Sequence, residues 1–275
     1  SGESILRPPS KCPLCEHEIR PRDNVPIVSW LLLKGKCRNC GEPIPAGYPL
    51  VEAANMVLWI LAGLRFGASA EVVPYAVLFS VLLVLSVIDL ELYILPNKIT
   101  YPSILASLVA IPLMAVVATD DPGAAMLGAA IGAIGYGVAD DPVGSIIWSY
   151  AGGLMFAGIL LITLLGWELL MHKEGMGMGD VKLAILLGLW IGYLNPLLCL
   201  FALIASSVIG LVVGVAILAV RKESKPFPFG PWLALGSIAV ILFSGPILRI
   251  YDIDTEDAQG LRPPASTSFP LVADQ

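Results

Sequence analysis

The sequence predicts an all-α polytopic membrane protein, a bundle of about seven transmembrane helices preceded by a small zinc-binding module. Three observations carry that reading. Hydrophobic residues make up 57% of the 275 and charged ones only 14%, against about 25% charged in a soluble domain, and mean hydropathy is +0.82. From Pro49 onward, long apolar runs alternate with short polar or turn-rich breaks, and a span needs ~20 mostly apolar residues to cross a ~30 Å hydrocarbon core. Residues 1–48 are polar instead and hold seven of the 16 basic residues and four of the five Cys. The apolar content excludes disorder, five Cys are too few for a disulfide scaffold, and the net charge of −6 speaks against a nucleic-acid partner.

The first element is the Cys module. Cys12-Pro-Leu-Cys15 and Cys37-Arg-Asn-Cys40 are CxxC knuckles separated by 21 residues. Four thiolates at this spacing close a tetrahedral shell around one Zn²⁺, and metal binding supplies the folding energy that so small a core lacks. A full set of four protein ligands marks a structural metal, because a catalytic zinc keeps a position open. The competing reading is two disulfides, which a reducing cytoplasm disfavours. His17 and His172 read as surface residues, and Cys199, alone in an apolar run, reads as a small hydrophobe.

Seven spans follow, near residues 49–66, 72–92, 99–118, 145–167, 181–194, 196–220 and 231–249. They are helices, because a lipid-exposed segment must satisfy its own backbone hydrogen bonds and the alternation of barrel strands is absent. The breaks are Arg65-Phe66-Gly67, Leu95-Pro96-Asn97, residues 119–144, Gly175–Asp180, Asn195-Pro196 and Arg221–Pro231. Three parts result: the module at 1–48, a membrane domain at 49–250 with a long connection at 119–144, and an acidic tail at 251–275. A cytoplasmic module would put thirteen of the 16 Lys and Arg inside, leaving Arg65, Arg249 and Arg262 outside. This charge bias sets orientation. It predicts an extracytoplasmic C-terminus beside an acidic outer surface.

Ionisable groups in spans are expensive and default to functional candidates. Asp89 falls in the final turns of the second span, where the bland reading is an interfacial acid. Glu91, two residues on, faces elsewhere and is the weaker candidate. Asp180 closes Gly175-Met-Gly-Met-Gly-Asp180, where the bland reading is an N-cap. The apolar run after it, 181–194, rises only about 21 Å at 1.5 Å per residue, so Asp180 and its glycines should lie below the membrane surface. Irregular backbone at that depth survives only when buried in protein or lining a wet cavity. Two carboxyls that share a proton can perform aspartic-protease chemistry, although 90 residues lie between these two.

Several separated motifs fall in the order seen in one family. They are Pro8-Pro-Ser-Lys-Cys-Pro-Leu-Cys15, the segment Asp23–Cys40, Tyr48-Pro-Leu-Val-Glu52, Asp89 with Leu95-Pro-Asn97, Gly177-Met-Gly-Asp-Val-Lys-Leu183 and Pro228-Phe-Gly-Pro231. With these the chain resembles the bacterial type IV prepilin peptidases. The resemblance implies an inner-membrane aspartyl protease of the GxGD class that removes the basic leader from prepilins or pseudopilins at the cytoplasmic face. It also implies methylation of the new N-terminus with S-adenosylmethionine. Residue by residue, it makes Asp89 and Asp180 the catalytic pair and Cys12, Cys15, Cys37 and Cys40 the zinc ligands. Members usually carry a further span before the Cys module, and no methyl-donor motif is recognisable here, so a peptidase lacking methyl transfer is a second reading. A transporter or assembly scaffold with a zinc docking module is a third, set apart because ion-coupling acids favour the bilayer midplane.

Overall fold

The structure is a computed structural model that describes residues 11–118, 142–172, 177–221 and 228–250. A 3-10 turn, Pro21–Asp23, and a short helix α1, Val28–Leu32, belong to the Cys module. The longer helices are α2 (Gly47–Phe66), α3 (Val72–Leu92), α4 (Asn97–Ala118), α5 (Pro142–Met171), α6 (Met178–Leu194), α7 (Leu198–Arg221) and α8 (Gly230–Leu242), followed by α9 (Ser244–Ile250). Five of them, α2, α3, α4, α5 and α7, are long and apolar enough to cross a membrane. The chain is therefore a multi-pass membrane protein. No strand occurs among the described residues; two isolated antiparallel bridges, Lys11 to Glu18 and Lys36 to Pro43, each close one Cys knuckle.

The remaining two expected spans are shorter than a bilayer-crossing helix, for physical reasons. The 17 residues of α6 rise about 25 Å, and from Asp180 to Tyr193 nearly every one is buried. It crosses the bundle inside protein, with no need to match the lipid. The span expected at 231–249 is divided at Phe243. Pro246 cannot donate a hydrogen bond to the carbonyl of Leu242 and its ring collides there, so one helix cannot run through. Arg65 accepts the break, donating from Nε to the Ile241 carbonyl (3.3 Å) and from Nη2 to Ser244 Oγ (2.8 Å). The expected connection at 119–144 and the tail at 251–275 lie outside the described residues, apart from the start of α5.

Lipid tails provide no hydrophobic drive between helices, so close packing and interhelical hydrogen bonds must hold the bundle. The tightest seam is α5 against α6. A Cβ on Gly188 would lie 2.5 Å from the Gly152 carbonyl oxygen, and one on Gly192 would lie 2.6 Å from that of Trp148. The two backbones touch, and only glycine fits between them. Polar clamps then converge on the far half of α6: Ser149 Oγ donates to the Leu189 carbonyl (2.6 Å), Tyr75 OH to that of Trp190 (2.8 Å), and Trp190 Nε1 to Ser107 Oγ (2.9 Å). Helices α3, α4 and α5 thus all hold α6. Pro112 inside α4 frees the carbonyl of Leu108, and Tyr150 OH of α5 donates to it (3.2 Å).

The chain therefore has two distinguishable ends. One joins Arg65, Phe66, Tyr75 and Trp190, with Phe66 stacked on Tyr75 at 4.2 Å between centroids and Tyr75 edge-on to Trp190. The other carries the Cys module, the turn between α3 and α4, and the starts of α6 and α8. Gly188→Ala forces a methyl into the α5 backbone, so its unfolding midpoint in detergent should fall well below that of Gly158→Ala, whose methyl meets nothing within 4 Å. The expected difference is about 1–3 kcal/mol. Equal midpoints by circular dichroism would contradict the seam.

Candidate active site

Asp89 sits in the last turn of α3, which ends when Tyr93 turns left-handed (φ 57°) and its N–H returns to the Asp89 carbonyl at 2.9 Å. Asp180 sits in the first turn of α6, three residues past an extended Gly177 that occupies the N-cap position. It is not the cap that the bland reading proposed, and its carboxyl is free to face the bundle. Both are buried, at 5% and 8% exposure. The structure brings them together across the intervening chain: a single point, where a side chain on Gly230 would begin, lies 2.6 Å from Asp89 Oδ2 and 3.5 Å from Asp180 Oδ1. Two carboxyls with 90 residues of chain between them thus meet beside the backbone that opens the helix at Gly230.

Two close approaches produce this. A Cβ on Gly179 would lie 3.1 Å from that of Leu95, so the start of α6 lies flush against the turn after α3. Gly230 opens α8, with Pro231 in its first turn, and its backbone N–H bonds the Asp89 carboxyl. The first N–H groups of a helix have no intrahelical partner and carry a partial positive charge, so α8 presents donors to an anion there. No role for Gly230 was read from the sequence. The Pro228–Pro231 motif was the available signal, because Pro at a helix start marks free N–H groups.

Lys182 was also missed. It lies two residues past Asp180, and its Nζ donates to Asn97 Oδ1 (2.9 Å) and sits 5.1 Å over the Tyr101 ring. Asn97 and Tyr101 hold this cation on another face of α6. The Leu95-Pro96-Asn97 motif thus does two things: Leu95 abuts Gly179 and Asn97 holds Lys182. Glu91 is exposed, unlike the two buried acids. Cys199 is fully buried with its sulfur 3.9 Å from the Gly152 carbonyl, as expected of a small hydrophobe. His17 and His172 are exposed.

In the module, the Sγ atoms of Cys12, Cys15, Cys37 and Cys40 all lie within 4.8 Å of one another, with Cys12 and Cys40 at 3.9 Å. Tetrahedral Zn–S bonds of ~2.3 Å require sulfur spacings near this value. The two knuckles match: Cys12 N–H bonds the His17 carbonyl and Cys37 N–H bonds that of Glu42, while Glu16 and Gly41 N–H return to the carbonyls of Cys12 and Cys37. Backbone N–H of His17, aided by the Asn39 amide, holds the Cys15 thiol below its ordinary range, and backbone N–H of Cys40 and Asn39 do so for Cys37. Glu42 N–H favours the Cys40 thiolate, but burial and the three neighbouring thiols outweigh it and push Cys40 up to about 12. Four thiolates this close need a cation, and this donor set could hold a metal ion.

Residues 1–66 match the bacterial peptidase A24 N-terminal domain and residues 76–215 the type IV leader peptidase family. The chain is 34% identical over 253 residues to the prepilin leader peptidase/N-methyltransferase of Aeromonas hydrophila, covering 90% of this chain and 76% of that protein. It is 33% identical to the protein of the same name from Pseudomonas aeruginosa, with the same coverage. It is 34% identical to that of Pectobacterium carotovorum, over 86% and 75%. No solved structure matches the chain. The matched domains and the near full-length likeness to these enzymes together place the chain in the type IV leader peptidase family.

Proposed function

We propose that this chain is an intramembrane aspartyl endopeptidase that removes the leader from a prepilin or pseudopilin, with Asp89 and Asp180 as its catalytic pair. The observation that supports this best is the convergence of two buried carboxyls beside the Gly230 backbone. One carboxyl, ionised, takes a proton from water while that water attacks the scissile carbonyl. The other, protonated, gives its proton to the carbonyl oxygen, and collapse of the tetrahedral intermediate sends a proton to the departing amine. Gly230 N–H orients Asp89 through this exchange.

The siting suits such a substrate. Both acids lie within a turn of their helix ends, on the side of the bundle that carries the module, and the Lys and Arg distribution makes that side cytoplasmic. A prepilin offers a basic leader there, followed by an apolar helix that can enter the bundle. Acids meant to couple ion transport favour the midplane, and these do not lie there. The relatives are also named N-methyltransferases, and we extend that activity to this chain, with S-adenosylmethionine supplying an electrophilic methyl to the new α-amine. Zinc, held by Cys12, Cys15, Cys37 and Cys40, would serve as a structural cross-link, since its shell is complete. The module (1–48), the membrane domain (49–250) and the tail (251–275) then have separate tasks.

The reading is tested with a synthetic prepilin-like transmembrane peptide, S-adenosylmethionine as methyl donor, and mass measurement of both products. Cleavage at one bond and a 14-dalton gain, about one methylene, on the downstream fragment are expected. Asp89→Asn and Asp180→Asn should each lower cleavage at least about 100-fold with helical content and bound metal unchanged. Normal cleavage by the doubly substituted protein would refute the assignment. Gly230→Ala, which must displace the Asp89 carboxyl, should cost kcat about 100-fold; wild-type kcat would show that Gly230 does not position Asp89. Metal analysis should find about one zinc per chain in wild type and far less in Cys37→Ser, with faster amide exchange confined to residues 11–44.

A further inference from the structure

The short helix α1 carries an apolar face that the module does not use. Val28, Leu31 and Leu32 stand at i, i+3 and i+4, the spacing of one helical face, and are 51%, 62% and 77% exposed. The opposite face closes the module. Ser29 is buried, with its Oγ accepting from Val25 N–H (3.1 Å) and donating to the Arg22 carbonyl (2.9 Å), and Trp30 Nε1 donates to the Ile44 carbonyl (3.1 Å).

What covers this face follows from where α1 is tied. Ile27 N–H donates to Glu52 Oε2 at 2.8 Å, and Glu52 lies five residues into α2, about 7.5 Å along its axis. Ile27 adopts φ 60° for this, a conformation unusual for a β-branched residue, in a turn closed by Val28 N–H on the Pro26 carbonyl. The start of α2 shows Tyr48 and Leu50 outward, as a membrane-crossing helix does at its rim. The Glu52 bond therefore ties α1 to the first turns of a membrane-capable helix, where a bilayer's headgroups would meet its acyl chains. Amphipathic helices settle at that depth, with the apolar face ~5–10 Å into the boundary. Lys34 and Lys36 follow, both exposed, whereas Arg38 is taken by Asp23 at 2.7 and 2.8 Å. Two cations placed just beyond an apolar face complement anionic headgroups.

We propose that α1 is an interfacial anchor. Val28, Leu31 and Leu32 enter the acyl boundary of the leaflet at the module's end of the bundle, and Lys34 and Lys36 engage anionic phospholipid headgroups. Glu52 is the positioning residue that sets the height of the anchor, a role that its motif did not reveal. The anchor pins the Cys module at the start of α2, whatever reaction the bundle performs.

The test uses the full chain in vesicles of phosphatidylethanolamine and phosphatidylglycerol, with p-benzoylphenylalanine placed singly at positions 28, 31, 32, 39 and 64. Illumination and mass spectrometry should find phospholipid adducts at 28, 31 and 32 and at the lipid-facing control 64, with none at 39. Adducts at 64 alone would overturn the anchor. So would adducts at 28, 31 and 32 that fall on a prepilin-like peptide or a second copy of the chain in place of lipid. Combining Lys34→Glu with Lys36→Glu should lower the phosphatidylglycerol share of the adducts several-fold; an unchanged share would overturn the headgroup contact.

Discussion

Everything in this bundle hangs on the backbone contact between α5 and α6. In hydrocarbon, apolar side chains gain little by preferring each other to lipid, so a helix surrounded by others must be held by close approach and by hydrogen bonds. Gly152, Gly188 and Gly192 let two backbones touch, and hydroxyls and an indole from three helices then fasten the far half of α6. A helix gripped in this way does not need to be long enough to face lipid. Its start can lie inside protein, and Asp180 is buried there.

Two carboxyls also come to lie beside the same stretch of backbone. Each is costly in a span, and the cost is met by local chain reversal: the end of α3, the start of α6 and the start of α8 meet at one end of the bundle. Leu95 against Gly179 sets the distance between the first two, and Gly230 inserts backbone where any side chain would displace Asp89. Free N–H groups at the start of α8 replace some of the water that the Asp89 carboxyl gives up. Lys182 is turned away by Asn97 and Tyr101, and among the described residues no cation pairs with either acid.

Much of this was legible in the sequence. The five long helices announce themselves by apolar length, because lipid imposes it, and the knuckles by CxxC spacing, because four sulfurs around one ion impose that. The buried helices were less legible: α6 begins at Met178 and not at Val181, since Met178-Gly179-Asp180 is helical but interrupts the apolar run, and the last span breaks at Phe243 because Pro246 and Arg65 act together across 180 residues of chain. Glycine contacts were opaque, since a glycine at a turn and one at a helix seam look alike until the partner backbone is known. The role of Gly230 beside Asp89 belongs to this class, and so does the bond from Glu52 to Ile27.

The central claim is that the two acids work as one unit holding a single proton. A coupled pair loses its protons in two macroscopic steps that belong to both groups, and only the form between them has one base and one acid. The direct measurement is kcat/KM against pH for the reconstituted protein with a prepilin-like peptide, using conditions in which the fold and bound metal are shown to be constant. A bell with both limbs present is predicted. A profile that is flat, or that falls on one side only across the range where the protein stays folded, would contradict it.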